Sequence, residues 1–233
     1  MRSKLILVVL VVTALMMGSF GSFAAEGDQL GSVTVNGEGS ISVFPDIAFI
    51  NVGVVIENEN ASVAQAENNK VMKTVIEEIK KLGIDKKDIL TSGFSVYNRK
   101  DYNDKNEKSY YVVSNNLNIT VRNIDDLGRI IDVATANGAN NINGITFDYV
   151  DKDKVYNEAL KQAMKDAKAK ANTITTTFGK TVTVPSSVNE IKSYSDFYRG
   201  GVAMDALNAK VSSTPIESGA LVIKAEVNVT YGY

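Results

Sequence analysis

Residues 111–121 read YVVSNNLNITV. Tyr111, Val113, Leu117, Ile119 and Val121 fall on one side of an extended chain; Val112, Ser114, Asn116, Asn118 and Thr120 fall on the other. Successive side chains of a strand point to opposite faces. Alternation this clean predicts an antiparallel sheet with one face on a core and one mostly wet face.

The neighbouring segments extend that sheet. Leu90–Asn98 reads as the hairpin partner of Ser109–Val121, across a polar connection. Upstream, Ala48, Ile50, Val52, Val54 and Ile56 share one face of a strand over 47–56, and Ile47, Phe49 and Val55 make its other face partly apolar, as in a central strand. Met72, Val75, Ile76, Ile79 and Leu82 follow the helical period between them; Ser62 and Gln65 have capping-box spacing and Gly83 is a stop. Asn123 and Asn137-Gly138 bracket a second helix, and 145–149 reads as a further strand. A third helix, 153–178, carries Ala159, Ala163, Ala167 and Ala171 on one stripe, which lets a helix lie close on a sheet. Pro185 marks 181–193 as an edge or bulged strand, and 217–231 alternates as the last one. The fold class predicted is α+β, an antiparallel sheet with helices on one face. A strand-helix-strand-strand unit recurs as 47–56, 62–82, 90–98, 109–121 and again as 143–150, 153–178, 181–193, 217–231.

Composition limits the chemistry. The chain has no Cys, no His and no Trp, and its net charge is −2. A Ser-His-Asp triad, a Cys-His pair, a disulfide and an imidazole or thiolate metal site are therefore excluded. An acidic chain without a basic block is no nucleic-acid binder. Arg2 and Lys4, the apolar run Leu5–Met17, and Ser22-Phe23-Ala24 form a signal-peptide pattern with cleavage expected after Ala24, leaving 25–233 as one domain with no integral membrane span.

Local motifs add no reaction. Gly37-Glu38-Gly39-Ser40 leads into a strand, not a helix N-terminus, so it reads as a strand bulge or bend and not as a phosphate loop. Asp101-Tyr102-Asn103-Asp104-Lys105-Asn106 fails as a calcium loop at Lys105, Asn106 and Val112. Asp125-Asp126, and Asp151 with Asp153, sit at helix starts, where they complement the dipole. No catalytic residue, cofactor-binding residue or metal ligand is assigned. The long loop 194–213 places Tyr194, Phe197 and Tyr198 beside Arg199, with Met204 and Leu207 following. That cluster fits an interface or a small local core equally well. As an interface it predicts self-association.

Five ordered segments carry a resemblance. They are Val35-Asn36-Gly37-Glu38-Gly39 with Pro45-Asp46-Ile47-Ala48; Leu82-Gly83-Ile84 with Asp88-Ile89-Leu90-Thr91; Gly138-Ala139-Asn140-Asn141-Ile142-Asn143-Gly144-Ile145; the helix with Ala163, Asp166-Ala167 and Lys170-Ala171; and Pro215-Ile216-Glu217-Ser218-Gly219 with the final strand. Together they resemble the SIMPL-domain family over nearly all of 25–233. Val112-Val113-Ser114 departs from that family's Gly-Tyr-x-Ala-like stretch. The resemblance implies an exported bacterial protein of the periplasm or surface, known in some species as an immunogenic antigen or stress-defence protein. It implies a homo-oligomer, and no catalytic residue or cofactor. Three functions follow for comparison: a self-assembling envelope protein, a module binding a peptide or other envelope component, and a hydrolase using carboxylate or tyrosine chemistry.

Overall fold

A computed structural model describes residues 31–100, 108–191, 198–200 and 214–233, with backbone alone for Tyr198–Gly200. The signal segment, the tip 101–107 and most of the loop 194–213 lie outside the described residues.

The elements in chain order are β1 (Ser32–Val43), β2 (Ile47–Asn58), α1 (Ala61–Lys81), β3 (Ile89–Lys100), β4 (Ser109–Val121), α2 (Leu127–Ala136), β5 (Asn141–Asp148), α3 (Lys152–Thr176), β6 (Pro185–Ile191), β7 (Tyr198–Gly200) and β8 (Ala220–Gly232). The antiparallel α+β expectation holds, with the strands divided between two sheets. One has the order β3-β4-β2-β5; the other has β1-β8-β6, with β7 beside β8.

The first sheet packs one face against α1 and α2. Ile50, Val52 and Val54 of β2 and Leu117 and Ile119 of β4 meet Met72, Val75 and Ile79 of α1 and Leu127 and Ile130 of α2. Each such buried side chain contributes about 1.5–3 kcal/mol. The cap of α1 is Asn60, not the expected Ser62: its side chain accepts from the N–H groups of Ser62 at 2.9 Å and Val63 at 3.3 Å. An Asn with extended backbone just before the helix satisfies two otherwise orphaned donors. Gly83 follows the helix at φ +92°, a conformation that favours glycine.

The second sheet packs on the alanine stripe of α3, and Ala159, Ala163, Ala167 and Ala171 are all fully buried. Here the glycine reading needs correction. β1 pairs with β8 in unbroken register, Gly37 opposite Val227 and Gly39 opposite Ala225, so the glycines form no bulge. A Cβ on Gly37 would stand 2.1 Å from the Ala163 carbonyl oxygen, and one on Gly39 would stand 2.0 Å from that of Ala159. The glycines and alanines together bring helix backbone onto strand backbone. Asp166 locks the contact by accepting the Glu38 N–H at 2.9 Å and pairing with Lys170 at 2.7 Å.

The repeated unit is realised with one exchange. In the first sheet β2-α1-β3-β4 gives the order β3-β4-β2 with α1 across β2 and β4. In the second sheet the matching order is β6-β8-β1 with α3 across β1 and β8. The segment expected to open the second unit, now β5, instead pairs with β2, and β1 takes its place. The chain thus passes between sheets at 44–46 and again at 149–151.

Candidate interaction site

The helix-free face of the first sheet is built from amides and hydroxyls. Asn118 of β4 lies opposite Asn51 of β2, which lies opposite Asn143 of β5. In the next row Asn116 and Asn141 flank Gly53. Residues directly opposite on antiparallel strands share a face, so these amides project together. Gly53 has a steric reason: a Cβ there would come 2.2 Å from Asn116 Oδ1.

Two bulges shape this surface. The β3–β4 register shifts between Thr91 and Gly93, so Ser92 is the extra residue. The β2–β5 register shifts between Ile50 and Asn51, so Gly144 is the extra residue, at φ +63°. Both lie beside Asn51, one on each edge strand. A bulge bends its strand and re-aims a side chain. Between them lies a shallow concavity of about 370 Å³ lined by Asn51, Ser92, Gly93, Asn116, Asn141 and Asn143. No titratable side chain lines it.

A hydrogen-bond network sets the amides. Asn51 Nδ2 donates to Ser92 Oγ at 3.1 Å, and Ser92 Oγ donates to the Asn116 carbonyl at 3.3 Å. Asn143 Nδ2 donates to Asn141 Oδ1 at 2.5 Å, Asn141 Nδ2 to Asn116 Oδ1 at 3.4 Å, and Asn116 Nδ2 to Ser114 Oγ at 3.2 Å. The periodic wet face was readable in β4. The concavity was not: each bulge leaves only an odd spacing of helix-side residues, Ile142 to Ile145 in β5 and Ile89 to Phe94 in β3, and that spacing does not say which amides meet.

Beside this face runs the outer edge of β3, unpaired among the described residues. Leu90 is 61% exposed, Phe94 50%, Val96 43% and Tyr97 53%. Phe94 lies opposite Asn115 and Val96 opposite Val113, on the helix side; Leu90 and Tyr97 lie opposite Asn118 and Val112, on the amide side. Four large apolar side chains therefore frame one edge from both faces.

Several ionisable groups are engaged structurally. Arg122 donates to both carboxylate oxygens of the buried Asp88, at 3.0 and 2.8 Å, and this holds the Asp88 carboxyl below its ordinary range. Lys170, then the Glu38 N–H, does the same for Asp166. Tyr156 of α3 donates to Glu190 of β6 at 2.7 Å, and that hydrogen bond is the main reason its phenol is pushed up to about 12. A phenol so held serves as a donor at neutral pH. Among the described residues no group of His, Cys, Asp or Glu is placed to hold a metal ion, and no helix is long and apolar enough to cross a membrane.

Of the residues expected at an interface, Tyr194, Phe197, Met204 and Leu207 lie outside the described residues. Tyr198 and Arg199 have backbone positions in β7, opposite Val222 and Leu221 of β8.

The fold extends over two sheets, and one family spans both: the profile described as "SIMPL: Protein of unknown function (DUF541)" matches residues 33–231. This chain belongs to the SIMPL family. Among its relatives, the 26 kDa periplasmic immunogenic protein of Brucella melitensis is 29% identical over 94% of this chain and 93% of its own length. The uncharacterized protein YggE of Edwardsiella ictaluri is 27% identical over 72% of this chain and 73% of its own length. YggE of Escherichia coli K12 is 26% identical over 67% and 65%. The match to the Brucella relative, named for the periplasm, spans nearly all of both chains.

Proposed function

We infer that this SIMPL protein is exported, acts outside the cytoplasm without catalysing a reaction, and works as an assembly of identical copies joined along β3. One observation carries the reading: β3 is a strand of 12 residues at the end of its sheet, with Leu90, Phe94, Val96 and Tyr97 exposed along it. An unpaired strand edge is a template for another strand, and clustered exposed apolar side chains favour burial by association. Two copies pairing β3 with β3 would meet through the same patch on each, a closed two-fold contact. The name of the Brucella relative supports the compartment. The side chains lining the described concavity are amides and a hydroxyl, which suits binding better than proton transfer.

Sedimentation velocity of residues 25–233, beside the double variant Phe94→Lys, Val96→Lys, tests this. The expected result is an oligomer that the variant reduces to monomers. A monomer at tens of micromolar in the unmodified protein would contradict the reading. An oligomer indifferent to both substitutions would remove β3 as its interface.

A further inference from the structure

We propose that the amide-lined concavity of the first sheet binds an uncharged polyhydroxyl chain, a neutral glycan strand laid across β4, β2 and β5. This goes beyond assembly and uses a different surface, the face of the sheet and not its β3 edge.

The chemistry of the lining selects the ligand. Every side chain in the concavity is an amide or a hydroxyl, apart from one glycine. Sugar hydroxyls donate and accept at once, and an amide answers both roles with its carbonyl and its NH₂. Phosphates, nucleic acids and acidic peptides are recognised by Arg and Lys, and no cation lines this site. An extended peptide gains affinity from main-chain bonds to an open sheet edge, whereas this is a sheet face whose central strands are paired on both sides.

The geometry is built and not incidental. Two bulges on opposite edge strands flank the same row and bring Ser92 and Asn143 toward Asn51. Bulges concentrate beside functional sites, where they re-aim side chains. The network fixes one end of each inner amide and leaves ligand-facing capacity: Asn51 Oδ1, Asn143 Oδ1 and the whole amide of Asn118 have no hydrogen-bond partner among the described residues. Asn118, Asn51 and Asn143 form a row across three adjacent strands, repeating at the inter-strand distance of about 4.8 Å. That repeat is the length scale of a hexose ring, so successive rings of an extended glycan meet successive amides. Phe49, two residues from Asn51 on the same face, offers apolar surface to the C–H faces of the rings. The shallow shape predicts weak binding by a single copy, strengthened when several copies meet one chain.

Saturation-transfer NMR on the purified exported protein tests this with three probes: chitotetraose, cellotetraose and a sulfated glucan oligomer. The expected result is transfer to one or both neutral tetrasaccharides and none to the sulfated one. The double variant Asn118→Ala, Asn143→Ala removes exposed side chains only, and each lost amide should weaken binding by about fivefold. Thr146→Ala, on the same face but outside the concavity, should bind as the unmodified protein does; sedimentation and thermal midpoint should be unchanged in both variants. Transfer to chitotetraose alone would assign the acetamido group as the recognised feature, and transfer to both would assign the hydroxyls. No transfer to either neutral probe at millimolar concentration, preference for the sulfated one, full binding by the Asn118 and Asn143 variant, or equal loss with Thr146→Ala would overturn the proposal.

Discussion

The Asp46 carboxylate accepts the backbone N–H of Val150 at 2.9 Å, while the N–H of Asp46 donates to the Asp148 carbonyl at 3.1 Å. These two bonds tie together the two places where the chain passes between sheets. Pro45 presets φ just before the first passage. Asp46→Ala should therefore lower stability to urea by about 1–2 kcal/mol, and Asp46→Asn, which keeps an acceptor, by less. An unchanged urea midpoint in Asp46→Ala would show that the crossing is fixed by other contacts.

Gly37 and Gly39 set the distance between β1 and α3. Gly37→Ala and Gly39→Ala should each cost about 1–3 kcal/mol, because the new methyl meets helix backbone. Gly93→Ala is the control: its Cβ would find only Asn116 Nδ2, at 3.7 Å. Thermal unfolding should rank both β1 variants clearly below it. Equal midpoints for all three would mean that α3 moves outward at little cost.

Asn68 of α1 is fully buried and donates to the carbonyl oxygens of Val54 at 2.8 Å and Val113 at 3.2 Å. It bridges the helix to two strands. Asn68→Ala should cost about 1–3 kcal/mol, since buried acceptors lose their partner. Chemical denaturation reads this directly, and a neutral result would show that water replaces the amide.

The Asp88–Arg122 pair gives a pH signature. The folded carboxyl titrates below its unfolded value, chiefly through the Arg122 hydrogen bonds. Its contribution is complete above the unfolded value of about 3.9 and is lost as pH falls through the lower folded value. Asp88→Asn should thus narrow the gap to the unmodified protein in the thermal midpoint as pH drops below about 4. A gap that is constant from neutral to acid pH would show that the pair does not drive acid unfolding.

What could be read from the residues was local and periodic. The alternation of β4 announced a half-wet antiparallel sheet, the alanines of α3 announced close packing, and Pro185 announced an edge strand with a register shift. Sheet membership could not be read so directly. β1 and β2 are joined through 44–46 yet lie in different sheets, and β5 joins the first sheet, because pairing depends on distant partners. The role of Gly37 appears only when α3 lies above it. The amide concavity escaped for a similar reason: each Asn fits an ordinary wet face, and the odd spacings that mark the two bulges, Ile142 to Ile145 and Ile89 to Phe94, do not say which amides they gather until the strands pair.

Self-association along β3 is tested most directly by amide hydrogen exchange of Ile89–Lys100, measured in dilute solution and at tens of micromolar. The β3 amides that do not bond to β4 should exchange freely in dilute protein and become protected as concentration rises, while β4 stays protected throughout. Exchange along β3 that is fast and independent of concentration, in a protein that nonetheless sediments as an oligomer, would contradict the account.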